Sequence, residues 1–232
     1  MIDEADALRI PDRAMHPDPR TLAFVKVHRV TGSIRAISLD DQHAAVARFK
    51  LSATAPKDIA IHFETAKNLY LYAWFVYRFY PVAEQHTLIT LEFALRMRQP
   101  SFVEEYKSRH RLEHEPGLVA LLKRAISDGL VTNQAFTTRH AWALRRAQSR
   151  FQYEQIEKMH REGLTEMEID DSDVQPTEED LDYDWLGTFV DAIPYFRNNY
   201  AHGSAMLHNS VLHSFEVVTE IINQLYPEPR TS

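Results

Sequence analysis

Cysteine is absent from the 232 residues of this chain. That excludes disulfides, thiolate-held zinc and a cysteine nucleophile. Glycine is scarce, with 6 in all, and none falls into a G-x-G-x-x-G or G-x-x-x-x-G-K-[ST] pattern, so the common phosphate-cradling loops are missing. Long apolar runs are lacking too. The most apolar stretch, LYLYAWFVYRFYPV, is interrupted by Arg78 and Pro81 and falls short of the roughly 20 residues a bilayer span needs. The opening stretch MIDEADALRIPDRAMHPDPR is charged throughout and lacks the apolar segment of a secretory signal. The expectation is a cytoplasmic protein with no membrane partner.

Positive charge is missing from one region only. From Glu162 to Phe196 there are 12 acids and no Lys or Arg, whereas the rest of the chain holds 21 acids and 26 bases. The net charge of −7 therefore does not exclude an anionic ligand, because local charge decides that. Arg197 is the first base after the acidic tract.

What is present is mostly helical periodicity. Before residue 56 the pattern is irregular, and FVKVHRV and SIRAISL read as two short strands around a Thr31-Gly32 turn. From Pro56, Ile59, Phe63, Ala66, Leu69, Tyr70, Ala73, Trp74 and Tyr77 recur at steps of three and four. Pro81 opens a second helix that ends near Pro100. GLVALLKRAISDG makes a third, closed by Gly129. A fourth runs from about Thr138 to Gly163. EMEIDDSDVQPTEED has no apolar period and reads as a solvated, mobile loop. Helix resumes near Glu178 with the stripe Leu181, Trp185, Phe189 and Ile193, which Pro194 must bend or break. A last helix is expected from Ser204 to about Tyr226. The fold class is all-α, with an arm over residues 1–55 and a helical bundle over 56–226 into which an acidic loop, about 164–178, is inserted.

One stretch carries chemistry: RNNYAHG, from Arg197 to Gly203, directly after the apolar WLGTFVDAIPYF. Arginine holds a phosphate by two parallel hydrogen bonds without losing its charge. Histidine moves a proton near neutral pH, and Asn198 can donate to a non-bridging oxygen. RNA brings its own nucleophile, the 2′-hydroxyl, so such a set can cleave it without metal. On a regular helix Arg197 and His202 lie about 140° apart, so they converge only if the helix unwinds between them, as Gly203 suggests. The alternative is that these residues simply end a helix at the surface.

RNNYAHGS after an apolar helix containing Pro194 resembles the signature of HEPN-domain proteins, α-helical bundles marked by Arg, four to six residues, then His, often with Asn following the Arg. The likeness extends over residues 56–226 and implies an up-and-down HEPN-like bundle. Many members of that family are metal-independent RNases of toxin–antitoxin and other defence systems. They act as homodimers whose two motifs face one cleft, often beside a cognate antitoxin or regulatory protein. Others bind RNA or a protein partner without cleaving. Carried over, the catalytic residues would be Arg197, stabilising charge on the phosphorane-like centre, His202, moving the proton at the 2′-oxygen, and Asn198, orienting the phosphate. The resemblance implies no cofactor.

Four further signals accompany the motif. Glu92 lies in the apolar TLITLEFALRMR, where it either pairs with Arg96 one turn on or braces Arg197. RHAWALRRAQSR carries Arg139, Arg145, Arg146 and Arg150, a solvated face or a contact for an RNA backbone. The aromatic stripe LYLYAWFVYRFY suits core packing or a dimer seam better than base stacking. His202, His208 and His213 are spaced by six and five, which does not stack them on one helical face, and no H-E-x-x-H is present, so no metal site is read.

Overall fold

The structure, a computed structural model, describes residues 4–28, 31–110, 115–201 and 210–229, with the backbone alone for residues 4, 110 and 196–201. It is predominantly helical, as the periodicity predicts. Two compact units are distinguished: residues 1–130 with 191–232, and residues 131–190.

In the first unit the chain opens with short 3-10 turns and then a hairpin. β1 (Val25–Val27) pairs antiparallel with β2 (Ile34–Ala36), Val25 opposite Ala36. Gly32 takes φ 66° in the connection, a left-handed conformation that glycine adopts without steric cost. Helix α1 (Leu39–Ala47) follows, in a region the sequence pattern assigns to an irregular arm. Its start is a capping box. Ser38 accepts from the Asp41 amide, and the Asp41 carboxylate accepts from the Ser38 amide, so two orphan donors are satisfied at once. The buried Gln42 then ties α1 down, donating to Tyr70 O and to Tyr80 Oη at 2.8 Å each.

Helices α2 (Lys57–Tyr72) and α3 (Phe79–Arg98) form where the prolines place them. Pro56 caps α2 and Pro81 sits in the first turn of α3, where a missing N–H costs nothing. α2 stops at Tyr72, earlier than the stripe through Tyr77 suggests, yet Ala73, Trp74 and Tyr77 remain buried in the turn that joins it to α3. α3 is the hub, packing on α2, on α5 (Leu118–Ser127) and on α9 (Leu212–Leu225). This explains its wide buried face, which includes Tyr80, Ala83, Leu88, Leu91, Ala94 and Leu95. Glu84, buried on the same helix, accepts from Ser214 Oγ of α9. Helix α4 (Pro100–His110) has no counterpart in the sequence reading, because its polar composition hides the period. The last helix, α9, begins at Leu212 with Val211 as its N-cap, and residues 204–209, where the sequence reading starts it, lie outside the described residues.

The N-terminal arm is held by one buried carboxylate. Asp18 is fully enclosed. It accepts from Arg20 Nε at 2.8 Å and from the backbone amides of Arg20 and Tyr77 at 3.0 and 3.1 Å. Burial pushes this carboxyl up, but the Arg20 guanidinium and the two amides outweigh it, and the net direction is down. Asp6, bound by Arg78 at 2.8 Å through both oxygens, is drawn down to about 2 by Arg78 first, against its own desolvation and with Arg20 in support. Both carboxyls thus titrate below their unfolded value of about 3.9. Their contribution to stability is present above that pH and is lost as pH falls through the folded values. The arm is expected to become protease-sensitive between about pH 4 and 2 while the helices persist. Asp18→Ala, which leaves Arg20 without its main partner, is expected to cost about 3 kcal/mol in urea unfolding. Unchanged stability would show that the arm is not held by this carboxylate.

The second unit is built on α6 (Arg139–Glu162), preceded by Thr138 and closed by the left-handed Gly163 as the sequence predicts. After an irregular segment come α7 (Glu178–Leu181) and the start of α8 (Trp185–Ala201), whose residues from 191 on belong to the first unit. The expected single helix from Glu178 is interrupted at 182–184 because Asp184 starts a new one, its Oδ1 accepting from Gly187 N at 2.9 Å. The missing Cβ at Gly187 lets the Asp184 carboxylate sit this close, since a Cβ there would push the carboxylate aside. Trp142, Phe136 and Trp185 pack ring to ring in the core of this unit.

Candidate functional site

Two stretches bear the chemistry read from the sequence: the RNNYAHG motif and the arginine row of α6. α8 runs through Pro194 without a break, and its backbone reaches Ala201. Arg197 and Asn198 therefore lie in the final two turns of an apolar helix. Their side chains, and the whole of residues 202–209 including His202 and Gly203, lie outside the described residues. So does the convergence of Arg197 with His202 expected from Gly203.

The arginine row is described in full, and it is engaged. Arg150 grips Asp180 with both guanidinium nitrogens, at 2.6 and 2.7 Å. Arg146 reaches Asp180 Oδ1 at 3.2 Å and Glu179 at 3.5 Å, with its guanidinium 4.2 Å from the Tyr183 ring centroid. Arg139 donates to Leu181 O at 2.6 Å and to Asp182 at 2.9 Å. Arg145 is exposed and is also in an interaction within the protein. Thus α7 and the residues after it lie along α6 with their carboxylates against its guanidinium groups.

The local sequence explains why the acids present themselves so well. Thr177-Glu-Glu-Asp180 is a capping box. Thr177 accepts from Asp180 N, and the Asp180 carboxylate accepts from Thr177 N at 3.0 Å. The same Asp180 oxygens face Arg150 and Arg146, so one side chain caps a helix and closes a charge cluster. Its side chain is fully enclosed. Arg150 holds the carboxyl far below the usual carboxylate range, against the cost of desolvation and with help from Thr177. The bond raises the Arg150 guanidinium in turn. The acidic tract is therefore not a uniformly solvated loop: residues 165–176 are irregular, and residues 178–182 bind α6.

Glu92 takes the pairing expected one turn away, with Arg96 Nη2 at 2.7 Å, and Arg96 Nε also faces Glu115 at 2.9 Å. Whether Glu92 also braces Arg197 falls outside the described residues. Most of the aromatic stripe is core, though Tyr72 is exposed: Tyr70, Trp74, Tyr77 and Tyr80 are buried, and Tyr80 meets Tyr70 and Tyr77 edge to face at 5.4 and 5.1 Å. Burial lifts its hydroxyl to about 12. His213 lies near the start of α9, 3.7 Å from Glu216, while His202 and His208 are outside the described residues. Among the described residues no helix is long and apolar enough to cross a membrane.

Sequence reasoning found the arginine row but missed its partner. The signal was available, because T-x-x-D at 177–180 is a capping-box spacing and the row is the nearest dense positive charge in sequence. Comparison of the chain with known protein families, with curated proteins and with solved structures gave no match.

Proposed function

We propose that the chain is a HEPN-type, metal-independent endoribonuclease of the cytoplasm, acting as a homodimer in a toxin or defence setting. The observation that carries this reading is the placement of Arg197 and Asn198 in the last described turns of an apolar helix in a predominantly helical protein, with His202 and Gly203 next in the sequence. In the proposed reaction the 2′-hydroxyl of RNA attacks the adjacent phosphorus and passes its proton to a base, His202. The P–O5′ bond breaks, and the leaving 5′-oxygen takes a proton from an acid. The products are a 2′,3′-cyclic phosphate and a 5′-hydroxyl end. Arg197 neutralises the charge that builds on the non-bridging oxygens, where fixed donors contribute most, and Asn198 orients them.

One histidine cannot hold both proton roles at the same instant, so a second His202 across a two-fold axis supplies the acid. Mixing Arg197→Ala and His202→Ala protomers tests this arrangement. Heterodimers are expected to differ in activity from either mutant homodimer. A protein that remains monomeric at tens of micromolar, about the range where a weak interface populates, and still cleaves RNA would contradict the dimeric site.

A second reading has its own observation. With Arg139, Arg146 and Arg150 already bound to carboxylates, the row offers RNA little free charge, as suits a non-catalytic module whose partner is a cognate protein rather than RNA. RNA that is neither cleaved nor retained by the protein would favour it.

A further inference from the structure

Helices α2, α3 and α5 line a pocket of about 400 Å³, the size of a small-molecule site. Its base is apolar, from the buried Leu88 and Leu118. Its aromatic lining is His62 and Phe93, whose rings meet edge to face at 5.2 Å. Behind His62 lies His86, stacked on it at 5.6 Å, with its Nε2 buried and without a hydrogen-bond partner among the described residues. Burial, and then His62, push the His86 imidazole down. At the rim stand Glu92 and Arg96.

The charge balance of the rim decides what fits. Arg96 is shared between Glu92 and Glu115, so among the described residues that line the pocket no free cation remains to clamp a phosphate. The carboxylate still has lone pairs to accept with and the guanidinium has hydrogens to donate, and both side chains are partly exposed, at 24% and 32%. The complement is a flat, neutral group with an apolar face and a polar edge that both donates and accepts. The geometry points to this pocket as a binding site for a nucleobase, one unstacked from single-stranded RNA and received against His62 and Phe93 with its edge on Glu92 and Arg96. Recognition of splayed bases by aromatic or histidine rings with edge hydrogen bonds is the general way proteins read single-stranded RNA. The inference deepens the RNase reading and rests on it for the source of the base.

The test uses the full chain and free nucleosides, which carry no phosphate. Binding of adenosine, guanosine, cytidine and uridine is measured by saturation-transfer NMR and titration, with ribose 5-phosphate as the control. At least one nucleoside is expected to bind and ribose 5-phosphate not to. Ile89→Trp fills the mouth from a side chain that is 48% exposed, and His62→Ala removes a ring. Each is expected to weaken nucleoside binding tenfold or more while circular dichroism is unchanged. No binding by any nucleoside, equal binding of ribose 5-phosphate, or affinity untouched by Ile89→Trp would overturn the assignment. The two readings fail separately. RNA cleavage without nucleoside binding removes the pocket proposal alone, and nucleoside binding without cleavage removes the catalytic one alone.

Discussion

Replacing His202 by alanine is expected to lower the rate of RNA cleavage by about 10²–10⁴, the range over which a positioned proton-transfer group contributes. Arg197→Ala should fall in the same range, since it removes the charge that meets the developing phosphorane. Arg197→Lys should recover only part of the loss, because an ammonium is a point charge and cannot bind two oxygens in parallel. The two alanine variants should retain wild-type thermal stability, because a polar side chain used for chemistry contributes little to the apolar core. Measurement of kcat and KM separates the roles. His202→Ala should lower kcat with little change in KM, whereas Arg197→Ala should affect both if it also holds the ground-state phosphate. Activity unaltered in His202→Ala would remove the motif from the chemistry.

The second large effect concerns the α6–α7 clamp. Asp180→Ala removes a carboxylate that caps α7 and pairs with Arg150 and Arg146. Loss of the cap and of the pairing is expected to cost about 2 kcal/mol, read as detachment of residues 177–184 in hydrogen exchange or limited proteolysis. It also frees two guanidinium groups. If RNA then uses them, affinity for single-stranded RNA rises, and the plot of log K against log salt steepens by about 1.4, two contacts at the single-strand slope. An unchanged slope would make the row purely structural. Acid cannot be used to open the clamp selectively. The Asp180 carboxyl is depressed in the folded state, so its contribution is complete above the unfolded value of about 3.9 and fades only as pH falls well below it. At neutral pH the clamp is closed, and displacement requires a competing anion or a partner that takes up α7.

Much of the helical layout is legible in the sequence, for reasons that differ by element. α2, α3, α5 and α6 combine an apolar period with terminal punctuation: Pro56, Pro81, Gly129 and Gly163 stand where helix ends need them. α1 and α4 lack a strong period and so escape the pattern, although Ser38 with Asp41 carries a capping box that marks the start of α1. The break at 182–184 is hidden by the continuity of the stripe from Leu181 to Ile193. Only the close approach of Gly187 to Asp184 reveals it, and that contact has no periodic signature. The arginine row is legible as a basic stretch, and T-x-x-D at 177–180 marks a helix start, but which acid meets which arginine is not legible, because charge complementarity between segments some thirty residues apart follows no repeat. The same holds for the pocket of α2, α3 and α5. His62, Phe93 and Arg96 are brought together by helix packing, and nothing in their spacing announces it.

The most direct measurement of the central claim is the chemistry of the cleaved ends. The purified chain is incubated with a structured RNA in EDTA, beside the His202→Ala variant, and the product termini are analysed by mass spectrometry. The account predicts cleavage without metal, leaving 2′,3′-cyclic phosphate and 5′-hydroxyl ends, and loss of both in the variant. Intact RNA with the wild-type chain, or cleavage that leaves 5′-phosphate ends and requires a divalent cation, would contradict it.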